Sequence, residues 1–349
     1  MLRGERFQMV RITMRPSLMK ILSCGLAILL SVFAGCQSRD REVLKRTQFV
    51  MGTLVEITLV AENNKASAEA LRGAFQEMRR VEALMSRRIE GSDVSRVNEY
   101  AGKKVMAVSN DLISVIKVAL ETSHLSDGRF DVTVGSLVRL WEKCWKENRV
   151  PSQEEVVGAL QLVDYHDLEV DGEKNTLFLR REGMQLVLGG IAKGYAVDQA
   201  YRFLRDRGFT DLIVNAGGDL RAAGSKLGLP WVVGIQNPRD KTKMVGTLEV
   251  TDAAVATSGD YERYYMKDGV RYHHILDPLT GFPARGCRGV TVLGDELMRT
   301  DALATAVFVL GPEKGLALVE KLPQTEALII DEKGRTLLSS GMEDRIGLD

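Results

Sequence analysis

Residues 185–219 read QLVLGGIAKGYAVDQAYRFLRDRGFTDLIVNAGGD, and their rhythm decides the fold. An apolar run, Gln185–Leu188, ends in Gly189-Gly190. A helical stretch, Ile191–Gly208, follows. A second apolar run, Asp211–Asn215, ends in Gly217-Gly218. Short apolar runs closed by glycine read as buried strands, and the periodic segment between them is long enough for a helix. The unit predicts an α/β (α+β) fold: a mixed β-sheet core with helices packed on it.

The pattern continues outward. Upstream, Gln48–Val60 alternates as a strand, with Val55, Ile57 and Leu59 set against Glu56 and Thr58. Ala66–Ile89 reads as a long helix with Ala70, Ala74, Met78 and Val81 on one face, and Asn110–Leu125 as a second. Ser152 with Glu155 is a capping box for a third, ending near Leu162. Asp167–Val170 and Thr176–Arg180 form a hairpin. Downstream, Trp231–Gln236, Val245–Val250, Ala254–Thr257 and Arg271–Leu276 read as strands. Glu296–Leu310 and Pro312–Lys321 read as helices before a final hairpin near Asp331–Gly334.

The 349 residues carry 47 basic and 47 acidic side chains. Residues 1–35 hold Arg3, Arg6, Arg11, Arg15 and Lys20 against Glu5 alone. Taking those five bases and one acid from 47 and 47 leaves 42 and 46, a body of about −4. A mildly acidic body lacks the basic footprint that nucleic acid requires. The basic N-terminus leads into the apolar run Ile21–Ala34, too short for a comfortable membrane span and of signal-peptide length. It ends in Phe33-Ala34-Gly35-Cys36, which resembles the bacterial lipoprotein box, with Cys36 as the lipidated first mature residue. A plain signal peptide cut nearby is the alternative, and Met9, Met14 or Met19 are alternative starts. The expected organisation is signal peptide 1–35, tether 36–47 and catalytic domain 48–349, on an exported, membrane-anchored chain facing the periplasm. Cys144 and Cys287 have no metal-ligand spacing; export permits a disulfide between them, and two free thiols fit equally.

Four constellations can carry chemistry. Gly189-Gly190 before a helix start, with Lys193, can receive a phosphate on free N–H groups, or can be a packing turn. Asn215-Ala216-Gly217-Gly218-Asp219 is a second glycine turn, weak alone. Asp277-Pro278-Leu279-Thr280-Gly281 is a turn whose Asp and Thr can simply bond the local backbone. His274 precedes it on a strand end, opposite in facing to His273. It either lines a cleft or is a satisfied core histidine. Asp301 and Thr305, at i and i+4, share one helix face. A carboxylate and a hydroxyl there suit Mg²⁺, or Asp301 is exposed and Thr305 bonds its own helix.

Taken in order, Met51-Gly52-Thr53, Gly128-Arg129-Phe130-Asp131-Val132-Thr133-Val134, the Gly189–Asp198 run, Asn215–Asp219, Thr257-Ser258-Gly259-Asp260-Tyr261, His274–Gly281 and Asp301–Ala306 resemble the ApbE family of FAD:protein FMN transferases. The resemblance covers about residues 48–340. It implies transfer of FMN from FAD, the substrate, to a threonine hydroxyl of a target redox flavoprotein, with release of AMP. It implies Mg²⁺ (or Mn²⁺) held by Asp301, Thr305 and the Gly190 carbonyl. It implies FAD contacts from Met51, Arg129, Phe130, Asp131, Lys193 and Ile275, and a catalytic His274 near the reacting phosphate. Membrane attachment through the lipid agrees with common family practice. FAD hydrolysis to FMN and AMP, or flavin binding without chemistry, are rival outcomes of the same pocket. Val187 and Arg88 depart from the family pattern, which usually has Asp and an aromatic at those places.

Overall fold

The computed structural model describes residues 41–348; the expected signal peptide, Cys36 and the first tether residues lie outside them. The stretch read as one strand over Gln48–Val60 is a hairpin. Glu42–Val50 pairs antiparallel with Thr53–Ala61 across a two-residue turn at Met51-Gly52. Both turn residues have positive φ, 57° and 72°. Residues 42–47 therefore belong to the folded body and not to a tether. Their polar sequence hid the strand because it lies at the sheet edge, where most of its side chains meet water.

The hairpin opens an eight-stranded sheet. In spatial order, its strands are Glu42–Val50, Thr53–Ala61, Leu212–Ala216, Asp219–Ala223, Ala254–Gly259, Cys287–Gly294, Glu326–Asp331 and Thr336–Leu338. Every neighbouring pair is antiparallel. The α/β class with packed helices is as the sequence predicts, with pairing more uniform than a mixed sheet. Gln185–Leu188 is not a strand of this sheet. It runs extended beside the 132–134 segment through a single parallel bridge, Val134 to Gln185, and the bond from Val187 N to Val132 O.

Helices cover one sheet face. Lys65–Met85 buries Ala70, Ala74, Phe75, Met78 and Val81, and lies against Ala192–Arg205, which lies against Leu297–Leu310. The last of these is buried on nearly all sides, from Leu297 to Val309. It is a central helix, and so its sequence lacks an amphipathic stripe. A three-stranded sheet of Trp231–Gln236, Met244–Val250 and Ile346–Leu348 covers much of the opposite face. Trp231, Leu248 and Val250 meet Val60, Leu220, Val255 and Leu328 there. Cys144 and Cys287 are buried free thiols, so no disulfide joins them.

A smaller hairpin, Tyr264–Lys267 with Val270–His273, stands apart from both sheets. Aromatic stacking ties it to the helix Gly135–Lys146, an element the sequence reading did not foresee. Trp141 stacks on Tyr272 at 5.6 Å between centroids, Tyr272 on Tyr265 at 5.4 Å, and Tyr265 on Trp145 at 5.7 Å. Offset stacking at such spacing favours a fixed orientation beyond simple burial. The Trp141 indole N–H also donates to Gly281 O at 2.8 Å. One tryptophan thus braces both the strand leading into His274 and the turn that follows it.

Candidate active site

The site is built where two helices start close together. Gly194 lets them do so. A Cβ placed there would lie 2.4 Å from Leu297 O and 2.8 Å from Met298 Cα. Asp198, wholly buried, then closes the helix Leu297–Leu310 from outside. Its carboxylate accepts from Leu297 N at 3.2 Å and Met298 N at 2.9 Å, and pairs with Arg221 at 2.6 Å. A carboxylate at a helix N-terminus satisfies free donors and meets the positive dipole end.

This fixes Asp301 one turn into the helix, almost fully buried. Its Oδ2 accepts the Gly194 amide at 3.1 Å, its one hydrogen bond among the described residues. Burial pushes the Asp301 carboxyl above its ordinary pKa; Lys193 and the Gly194 amide pull the other way. A buried carboxylate so thinly bonded is short of partners. Thr305 lies one turn further along, its Oγ1 3.2 Å from Ser258 Oγ. A Cβ on Gly190 would come within 3.0 Å of Thr305 Oγ1 and 3.3 Å of Phe130, so only glycine lets that backbone reach the hydroxyl closely. Asp301, Thr305, Ser258 and the Gly190 backbone make a cluster of hard oxygen donors.

Lys193 stands at the edge of this cluster, ion-paired to the buried Asp219, whose other oxygen accepts Thr257 N at 3.0 Å. The pair couples the helix Ala192–Arg205 to the glycine turn 215–219. His274 lies nearby. Its backbone N–H donates to Arg263 O at 3.0 Å. Its ring is open to solvent, yet protein encloses it on most sides. That enclosure, with His273 and Arg263 beside it and Lys193 in reach, lowers its pKa to about 4. It is therefore a neutral imidazole at pH 7. His273 faces the other way, buried, bonding Ala284 O through Nε2 at 2.9 Å and receiving Ile275 N at Nδ1 at 3.3 Å. The opposite facing expected of adjacent strand residues holds, with His273 buried and His274 exposed.

The other expected site residues fall into two groups. Phe130 and Ile275 are buried in the main hydrophobic core, and Met51, half-buried at the hairpin turn, packs against it. Arg129 and Asp131 are committed elsewhere. Arg129 pairs with Asp277 at 2.7 Å, joining the 128–131 loop to the Asp277–Gly281 turn. The Asp131 carboxylate is filled by Thr133 N and Oγ1, each at 2.7 Å, and by Tyr165 N at 3.0 Å. It holds its own loop. Burial pushes its pKa up to about 6 despite these bonds. Of the two departures from family pattern, Val187 is half-buried, and Arg88 reaches out to Glu142 at 3.0 Å. Sequence reasoning passed over Asp198, Asp219 and Ser258 as site-builders, although each sits inside a quoted motif. An acidic residue beside a glycine turn or inside an apolar helix was the available signal.

Known proteins resemble this chain over most of its length. A profile described as the ApbE family matches residues 51–329. An FAD:protein FMN transferase of Treponema pallidum is 34% identical over 329 residues, 89% of this chain and 91% of that one. One from Vibrio cholerae is 35% identical, covering 83% and 88%. Among solved structures, the ApbE protein of Thermotoga maritima superposes with a TM-score of 0.81 at 35% identity, covering 87% of this chain and 99% of that one. The flavin transferase ApbE of Vibrio cholerae gives 0.78 at 32%, with the same coverage.

Proposed function

The chain belongs to the ApbE family, and from that premise we infer that it is an FAD:protein FMN transferase, moving FMN from FAD onto target proteins. We propose further that the acceptor is a threonine hydroxyl, that AMP leaves, and that Mg²⁺ or Mn²⁺ assists. The observation that carries this is the buried Asp301 carboxylate with the Thr305 hydroxyl one helical turn on, beside Gly190. Hard oxygens in that number suit a small hard cation that keeps positions for phosphate oxygens. Asp301, Thr305 and the Gly190 carbonyl would hold it. When bound, the cation neutralises charge on the pyrophosphate and on the departing phosphate.

The chain's own residues do the rest. Phe130, Met51 and Ile275 form apolar wall that limits water near the reacting phosphorus. Lys193, steadied by Asp219, places positive charge beside the phosphates. His274, neutral and open to the cleft, accepts the threonine proton. An imidazole of pKa about 4 is a modest base, so substrate charge nearby has to raise it for good effect. Transfer outcompetes hydrolysis when the bound threonine gains by proximity, which can reach effective molarities of roughly 10⁵ M.

We propose also that Cys36 carries a lipid anchor and that the enzyme works outside the cytoplasm; the basis is the signal-like run before it. Among the described residues no helix is long and apolar enough to cross a membrane. The deciding experiment incubates the protein with FAD, Mg²⁺ and a purified redox subunit bearing an acceptor threonine. A flavin-fluorescent band on a denaturing gel, lost when that threonine becomes alanine, is the expected result. Free FMN and AMP without a band would make the chain a hydrolase, and neither product would reduce it to a flavin binder.

A further inference from the structure

We propose that the outer face and open edge of the Glu42–Val50/Thr53–Ala61 hairpin, at its Met51-Gly52 tip, is the docking surface for the acceptor segment of the target protein. The proposal rests on the transferase reading and names where the protein substrate is held. Three observations carry it. The first is an apolar pair that has no structural duty. Phe49 and Leu54 are directly opposite in register and are 69% and 64% exposed, among the most exposed large apolar side chains of the described residues. They lie on the sheet face that the three-stranded sheet covers at Val60, Leu220 and Val255 but leaves bare at the tip. Side chains directly opposite on a hairpin make one continuous patch.

The second observation is a free edge. The strand Glu42–Val50 is outermost in the sheet, and no described residue pairs with its far side. The two-residue turn makes Val50 and Thr53 a hydrogen-bonded pair, so the backbone groups of Phe49, Thr47, Lys45 and Val43 point to that open side. An extended chain can add there as a further strand, with alternate side chains on the apolar pair. The third is continuity with the site. Met51, one residue past Val50, packs against the main core, and a Cβ on Gly52 would lie 3.9 Å from Arg263 Nη2. Arg263 is the residue whose carbonyl holds the His274 backbone. A segment laid along this edge ends beside Arg263 and beside Gly217 of the glycine turn, whose added Cβ would lie 2.4 Å from Thr53 Oγ1. Lone exposed apolar residues are ordinary; a register-matched pair, at an open edge, beside a site that must receive a protein, is a built surface.

The test changes both side chains, Phe49→Ser with Leu54→Ser, and uses as probe the purified apo-protein that the wild-type enzyme flavinylates. A second variant, Leu227→Ser with Leu229→Ser, removes an equally exposed apolar pair (59% and 69%) on the loop beside the opposite end of the hairpin, where Ser225 and Arg41 share Asp211. The tip variant is expected to raise KM for the protein about tenfold, the scale of losing an interface anchor, with kcat, FAD affinity and melting temperature unchanged. The loop variant, away from the tip, is expected to behave as wild type. Amide exchange of Val43–Phe49 is expected to slow when the probe is present. An unchanged KM, a loss of kcat alone, or a loss of FAD affinity in the tip variant each overturns the docking assignment. A wild-type enzyme that labels no protein at all overturns the transferase reading itself, and is told apart because FAD binding then persists in every variant without any flavinylated band.

Discussion

Arg129 Nη1 donates to Asp277 Oδ2 at 2.7 Å, joining residues 148 apart in sequence. The sequence resemblance implied a flavin contact for Arg129; the structure shows it pinning the turn after His274. The Asp277 carboxylate also accepts Leu279 N at 3.0 Å, and its side chain is only 11% exposed. Arg129→Ala strands that carboxylate. Stability is expected to fall by about 1–3 kcal/mol, the scale of leaving a buried acceptor without its charged donor. Asp277→Asn, which keeps the bond to Leu279, is expected to lose less. Urea unfolding measures both, and no loss in Arg129→Ala would reduce the pair to a surface contact.

Asp301→Asn separates the fold from the chemistry. The folded carboxyl has a raised pKa, so its protonated form is favoured and apo stability falls as pH rises above the unfolded value near 3.9. Asn removes that charge. Its apo form is expected to melt no lower than wild type at pH 7, and to lack the rise in melting temperature that added Mg²⁺ is expected to give the wild type. Transfer is expected to fall by about 10²-fold or more, as for loss of one of few metal donors. Thr305→Ala, a neutral donor that water can replace, is expected to be milder. Retained Mg²⁺ stabilisation in Asp301→Asn would move the cation elsewhere.

Gly194→Ala puts a methyl against the Leu297 backbone, which cannot swing aside as a side-chain end can. A destabilisation of about 1–3 kcal/mol is expected. The larger effect is on activity, since the same amide binds Asp301 and the same helix start is held by Asp198. Thermal melting and FMN transfer measured together check this; a variant as stable and active as wild type would show that the two helix starts are looser than drawn.

His274→Ala is expected to cut flavinylation severely while FAD affinity by fluorescence quenching stays nearly intact. An unchanged transfer rate removes it from the mechanism, and a parallel loss of affinity makes it a pocket wall.

Acid sensitivity is expected from its neighbour. Burial, chiefly, lowers the His273 pKa to about 4 from an ordinary 6.5. A depressed histidine pKa gives stability that is present above the unfolded value and lost as pH falls from about 6.5 through 4, here on the order of 3 kcal/mol. Asp131, raised to about 6, works in the opposite sense, with stability lost as pH rises from about 4 through 6. Denaturant unfolding across pH 4–7 on His273→Gln and Asp131→Asn separates the two slopes. If His273→Gln keeps the wild-type slope, its ring is not held neutral.

The parts of this fold that the sequence displays are those with one wet face or a local signal. The helix Lys65–Met85 shows its stripe, and Ser152 with Glu155 forms the capping box expected of it. The central strand Cys287–Gly294 went unseen because it is buried on both faces and so does not alternate. The edge strand went unseen for the opposite reason, being wet enough to resemble a tether. In the site, glycine turns and the i, i+4 pair were readable because their spacing is local. The Lys193–Asp219 and Arg129–Asp277 pairs were not, because each is made by tertiary approach of distant segments.

The edge hairpin also works as a ruler. The chain enters the described body at Arg41 and reaches the hairpin tip at Met51 through nine extended residues, roughly 30 Å of rigid path at about 3.3 Å per residue. That path is locked along its whole length by pairing with Thr53–Ala61, so the span from chain entry to hairpin tip is fixed. Lengthening or shortening the segment before Arg41 therefore leaves that span unchanged, whereas an insertion within the strand shifts the register and turns Phe49 to the opposite face.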